Sequence, residues 1–235
     1  PVTDVIVESS NIGAARIAMM IGAERQQAFL GELGFLVPTP VELVEAPGAR
    51  PLLPANWSEL STMTIAYGHG LSASPLHLAT AYATLANGGQ RVQPTLVLGT
   101  EHEPGEQVVS PATARAAMTM LRQVVTRGTA SFAEVPGYEV GGKTGTADKP
   151  KPTGGYYDNK VLAVFAAVFP AHAPEYVLVL TLDEPVESSG REDRRTAGWT
   201  AVPVGAEVIR RAAPLLGLRP TFDAVPVEAL SLVRN

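Results

Sequence analysis

The sequence predicts a single mixed α/β domain of the α+β kind, with helices first, then an antiparallel sheet, then a closing helix. Three observations predict it. Two segments carry matching helix punctuation, Ser74-Pro75 to Gly88-Gly89 and Ser110-Pro111 to Gly128. Beyond Tyr138 the apolar pattern changes from helical spacing to continuous runs rich in β-branched and aromatic residues. The chain has 235 residues and is 46% hydrophobic, enough for one substantial core or two small ones.

Each element follows in order. Ser9-Ser10-Asn11 precedes a helical pattern in which Ile12, Ala15, Met19, Gly22 and Gln26 share one side. Ile17, Met20, Ile21 and Phe29 carry its apolar bulk, and Gly34 fits a C-terminal stop. Residues 36–56 hold Pro38, Pro40, Pro47, Pro51 and Pro54 and predict a long irregular connection, of the kind that covers or binds something. The helix from Ser74-Pro75 runs through Leu78, Tyr82 and Leu85; that from Ser110-Pro111 runs through Ala114, Met118, Leu121 and Val125. In each, serine caps, proline occupies the first helical position and glycine ends the last turn. Three strands follow, from Tyr138 to Thr146, Val161 to Phe169 and Tyr176 to Leu182, close enough in sequence to pair as an antiparallel meander. A last helix, Ala201 to Leu216, is expected to pack back on the sheet through Val204, Val208, Ile209 and Ala212.

Composition narrows the function. The net charge is −5 and no basic stripe with interleaved aromatics is visible, so nucleic acid is not an expected partner. With no cysteine there is no disulfide, thiol catalysis or zinc–thiolate site. His69, His77, His102 and His172 lack metal-ligand spacing, so neither a metal nor a cofactor is expected. The longest apolar run, Val161 to Ala171, is too short for a bilayer and contains Pro170, so this chain is expected to be soluble. Its opening on Pro1-Val2-Thr3 suggests a processed product or an excised piece.

All four lysines, Lys143, Lys149, Lys151 and Lys160, fall within 143–160. The run Gly141-Gly142-Lys143-Thr144-Gly145-Thr146 predicts an edge strand that another backbone can approach. Its lysine and hydroxyls supply a positive charge and hydrogen-bond donors for a carboxylate, which suits a peptide-like acid. The alternative is a glycine-rich turn with a solvated lysine.

Together, Ser9-x-Asn11 before a helix and Lys143-Thr144-Gly145 on a strand resemble two of the three motifs of the serine penicillin-binding proteins and β-lactamases. The segment from Tyr67-Gly68-His69-Gly70 through Ser74-Pro75 to Asn87-Gly88-Gly89 resembles class B penicillin-binding proteins, most nearly the division-specific transpeptidase, over nearly the whole chain. The spacing of 132 positions from Asn11 to Lys143 also favours this group over the more compact β-lactamases. The resemblance implies a penicillin-binding protein/β-lactamase-like fold and a D,D-transpeptidase that cross-links peptidoglycan stem peptides through a serine acyl-enzyme, with β-lactams as donor mimics. It implies that Ser9 relays a proton to the leaving group. Asn11 would bond the substrate amide and steady the family's catalytic lysine, and Lys143 would supply positive potential. Thr144, Gly145 and Thr146 would form the substrate-binding edge, with the hydroxyls of Thr144 and Thr146 on the carboxylate and the Thr146 N–H as half of an oxyanion hole. It further implies a full-length protein on the periplasmic face of the inner membrane, working with division or elongation machinery.

One motif is missing. The family's Ser-x-x-Lys places nucleophile and base one helical turn apart, yet no serine here has a lysine three residues later. The chain is therefore expected to be the C-terminal part of one transpeptidase domain, silent alone. A helical region spans about 10–130; a three-strand region with the closing helix spans about 136–217. The family's first strands and nucleophile helix would precede Pro1, leaving core surface to be covered by that missing part or by a domain-swapped copy. Competing expectations are a β-lactamase-like hydrolase and a β-lactam-recognising sensor or non-catalytic scaffold. His69 could face the cleft, although a structural histidine is the plainer expectation. Lys149, Lys151 and Lys160 could steer an anionic ligand or simply sit in a solvated hairpin loop, and Glu184 to Arg195 is expected to be a mobile loop beside the cleft.

Overall fold

A computed structural model describes residues 1–100 and 103–222, so the end of the expected domain beyond 222 lies outside the described residues. The N-terminal half is helical: α1 Val2–Val7, α2 Asn11–Ile21, α3 Ala23–Glu32, α4 Glu59–Ile65, α5 Pro75–Ala86 and α6 Pro111–Arg127. β1 Gly141–Pro150, β2 Tyr156–Phe169 and β3 Tyr176–Asp183 follow, and α7 Ala201–Leu215 closes the fold. The sheet order is β1-β2-β3, antiparallel throughout, so β1 and β3 are both edges.

The two Ser-Pro helices stand as expected. Ser74 and Ser110 accept from the backbone N–H groups of His77 and Thr113. The helix expected from 11 to 34 is two, because Gly22 adopts φ +86° and breaks the ladder between α2 and α3. Ser10 caps α2, accepting from Gly13 N–H at 3.1 Å. The connection over 36–56 is irregular apart from one short turn, Ala46–Gly48, and an antiparallel bridge from Leu52 to Ser72. It is pinned at Val37, whose carbonyl accepts from Nε2 of buried His77 at 2.7 Å; the other ring nitrogen accepts from Ser74 N–H, which sets the tautomer. Glu42 anchors its middle, accepting from Thr95 Oγ1 and Leu96 N–H.

The core lies between the sheet and α7, with α1 and α6 closing its end. Val7, Val124, Val125, Val140, Phe165 and Ile209 are at most 1% exposed. The expected packing face of α7 is corrected: Val204 and Val208 are exposed, while Val202, Gly205, Ile209 and Ala213 face inward. Bulk decides this. A Cβ at Gly205 would lie 2.6 Å from the Phe165 ring, and one at Gly142 would lie 2.8 Å from the same ring. Phe165 is wholly buried where these two glycines let helix and strand approach it. On the opposite face, Met118 and Leu121 of α6 cover Val168, with Tyr82 and Ala86 of α5 beside them.

Candidate active site

Strand β1 starts at Gly141, three residues later than expected, and is an edge as expected. Lys143, Gly145 and Ala147 sit opposite Ala166, Val164 and Leu162 of β2. With Val179 and Thr181 of β3 they make the sheet wall of an open cleft of about 1120 Å³. Thr144 and Thr146 pair with Phe165 and Ala163, which belong to the core face, yet both threonines also line the cleft. The cleft therefore wraps around the free edge of β1. Ser9, Ser10 and Asn11 at the α1–α2 corner, with Tyr67 and His69, form the helical wall.

Ser9 and Lys143 are 134 residues apart in sequence, and the fold brings Lys143 Nζ to donate to Ser9 Oγ at 2.7 Å. Ser9 adopts φ +55°, a left-handed conformation uncommon outside glycine, at the corner where α1 ends. The Lys143 ammonium also donates to the Thr144 carbonyl at 3.0 Å. Among the described residues no carboxylate pairs with it. Burial without a counter-charge lowers its pKa to about 8. Asn11 opens α2 and lines the same cleft, its side chain exposed.

The hydroxyls at the edge have fixed partners. Thr146 Oγ1 accepts from Ala197 N–H at 3.0 Å, and Thr144 Oγ1 lies 2.7 Å from Thr129 Oγ1. Thr129, Thr196 and Trp199 line the cleft and escaped sequence reasoning. Thr129 directly follows a helix-stopping glycine, and nothing in the spacing of Thr196 or Trp199 marks a site.

The chain as a whole resembles known proteins. The model of the penicillin-binding protein transpeptidase domain matches residues 1–201. The chain belongs to the penicillin-binding protein transpeptidase domain family. Within it the likeness is to class B, division-type members. One relative is the probable peptidoglycan D,D-transpeptidase FtsI of Caulobacter vibrioides, 36% identical over 95% of this chain. Another is the penicillin-binding protein PbpB of Mycolicibacterium smegmatis, 35% identical over 88% of it. The chain spans 39% and 34% of their respective lengths. Among solved structures, the transpeptidase domain of penicillin-binding protein 3 from Burkholderia pseudomallei matches with TM-score 0.83 at 33% identity, over 95% of this chain and 66% of that one. Penicillin-binding protein 3 of Mycobacterium tuberculosis, complexed with ampicillin, matches with TM-score 0.80 at 30% identity, over 95% of this chain and 53% of that one.

The transpeptidase-family fold places the remaining residues singled out from sequence. His69 lines the cleft, its ring 5.6 Å from Tyr67 and 6.5 Å from Tyr156, and its Nδ1 is buried with no hydrogen-bond partner among the described residues. Two lysines of the cluster are ion-paired rather than simply solvated. Lys149 bonds Asp183 and Glu184, which keep it charged, and Lys160 bonds Glu184 at 2.9 Å. Lys151 and Lys160 also lie within 5.6 Å of the Tyr157 ring centre. The segment from Glu184 to Arg195 leads into the cleft wall, where the Arg194 guanidinium stacks 3.8 Å from the Trp199 ring. Among the described residues no group of His, Cys, Asp and Glu could hold a metal, and no helix is long and apolar enough to cross a membrane.

Proposed function

We propose that this chain supplies the substrate-binding edge and proton-relay corner of a serine D,D-transpeptidase that cross-links peptidoglycan stem peptides. The observation that carries the reading is the 2.7 Å contact between Lys143 Nζ and Ser9 Oγ at the free edge of β1, beside two cleft-lining threonines. A stem peptide is extended and ends in a carboxylate. It would lie along β1 as an added strand, with its carboxylate on the Thr144 and Thr146 hydroxyls in the field of Lys143. The Thr146 N–H would serve as half of an oxyanion hole, worth roughly 3 kcal/mol in enzymes where such a donor has been removed. Ser9, held by Lys143, would pass a proton to the departing D-alanine amine. Asn11 would hold the substrate amide and steady the base lysine. The acyl group then passes to an amine of a neighbouring stem peptide.

The nucleophile is assigned to preceding polypeptide. The cleft is bounded by Leu162, Val164 and Val179 on the sheet and by Leu78 and Tyr82 of α5, an apolar space suited to a helix bearing Ser-x-x-Lys. On this reading 1–235 is the C-terminal part of the domain and is inactive alone. Its cleft takes the missing N-terminal part, or the same element from a swapped copy. By family resemblance the full-length protein would work at the periplasmic face of the inner membrane, with division or elongation machinery as partners. The ampicillin complex of the related mycobacterial protein supports β-lactams as ligands. A β-lactamase-like hydrolase is less well supported, because no Asp or Glu is among the described residues lining the cleft to serve as a deacylating base.

Incubation with a penicillin, alone and together with the preceding polypeptide, tests this by intact mass. Acylation confined to the upstream serine is expected. A stoichiometric adduct on this chain alone would overturn the roles given to Ser9 and Lys143.

A further inference from the structure

A threonine hydroxyl has one proton to give and two lone pairs to accept with, so its partners decide which way it acts toward a ligand. At Thr146 the direction is fixed. Its Oγ1 accepts from Ala197 N–H, a donor that cannot reverse, and its proton is left for the cleft. Thr144 has no such backbone donor; among the described residues its side-chain partner is Thr129 Oγ1 at 2.7 Å. When Thr144 gives its proton to a ligand, that bond must run from Thr129 to Thr144. Thr129 is held for this task. The turn after α6 presses on the last residue of α1, with a Cβ at Gly128 falling 2.6 Å from the Val7 carbonyl, and Thr129 N–H donates to that carbonyl at 3.4 Å. Its side chain is exposed at the cleft and contributes nothing to the core.

We infer that Thr129 is a positioning residue that turns Thr144 into a donor, so that the β1 edge presents two outward O–H groups and selects a carboxylate over its neutral ester. The inference rests on the carboxylate role proposed above for Thr144 and Thr146. An anionic carboxylate accepts from both hydroxyls through charge-assisted bonds, whereas an ester gains less from the same alignment.

The test uses the protein with its preceding polypeptide, probed with benzylpenicillin and with its methyl ester, and reads second-order acylation rate constants by intact mass. Thr129→Val keeps the shape and removes the hydroxyl. Expected is a loss of roughly tenfold on the acid with less than about twofold on the ester, the size of one hydrogen bond to a charged group. Thr129→Ser is expected to keep the wild-type acid-to-ester ratio. Thr129→Ala, a second hydroxyl-free variant, should behave as Thr129→Val and serves if that one fails to fold. A hydroxyl-free variant that slows acid and ester equally, or that leaves their ratio unchanged, overturns the inference; so does a serine variant that loses the ratio. A wild-type protein that neither ligand acylates would instead sink the transpeptidase reading itself.

Discussion

Phe165 and Val164 are neighbours on β2, yet Phe165 is wholly buried beneath α7 while Val164 lines an open cleft. The face of Ala163, Phe165 and Ala167 is closed by α7, α1 and α6. The face of Leu162, Val164 and Val179 is covered only toward its far end, where α5 and α6 meet Val168 and Val177. Both faces are apolar, and a sheet apolar on both sides is built to be covered on both. The difference separates two jobs. One face carries the core of this chain, and the other lines the open cleft where the proposed reading puts the substrate and the nucleophile helix.

The sharpest way to break the comparison is to empty the closed face. Phe165→Ala should destabilise the chain by about 3–5 kcal/mol, seen as a lower denaturant midpoint, because two glycines already bring backbone against the ring and little can collapse into the space. An effect as small as that of a surface substitution would mean the core does not lie there.

Next comes the open face, where the loss should be of rate. Lys143→Ala, in protein that includes the preceding polypeptide, should slow penicillin acylation on the order of 10²-fold to 10³-fold without lowering the denaturation midpoint, because it removes a buried, unpaired charge. Its pH dependence carries a sign. Lys143 works in its charged form on this reading, so the rate should fall as pH rises through about 8, and Lys143→Arg should remove that limb. A limb that rises instead would assign the work to the neutral amine. Stability moves the other way. The folded pKa lies below the unfolded one of about 10.4, so the unfolded state binds more protons between them, and stability should grow as pH climbs from about 8 toward 10.

Smaller effects refine the boundary between the two regions. Ser10→Ala removes the cap of α2 at the cleft corner and should cost about 1 kcal/mol. Val164→Ala should cost under about 0.5 kcal/mol in this chain but about 1.5 kcal/mol once the cleft is filled, which denaturation with and without the preceding polypeptide would measure. Equal costs in both states would show that nothing apolar covers Val164.

Much of this was legible in the chain. Ser-Pro starts and glycine stops fixed α5 and α6, since caps act within one turn of backbone and need no distant partner. Continuous apolar runs gave β3 and β2 from Val161 onward, whereas the start of β2 at 156–160 is too polar to signal a buried strand, and glycines beside a lysine marked β1 as an edge. The short helices α1 and α4 left no signal, because six or seven residues are too few to show a period. On α7 the sequence offers two apolar stripes, Val204-Val208-Ala212 and Val202-Gly205-Ile209-Ala213, and periodicity ranks neither above the other. Only the bulk of Phe165, fitting against Gly205, selects the second. The motifs at Ser9-x-Asn11 and Lys143-Thr144-Gly145 could be read because each is local. Their meeting at 2.7 Å, and the recruitment of Thr129 and Ala197 to orient the threonines, could not, because contacts spanning 15 to 134 residues are set by how helices and sheet pack.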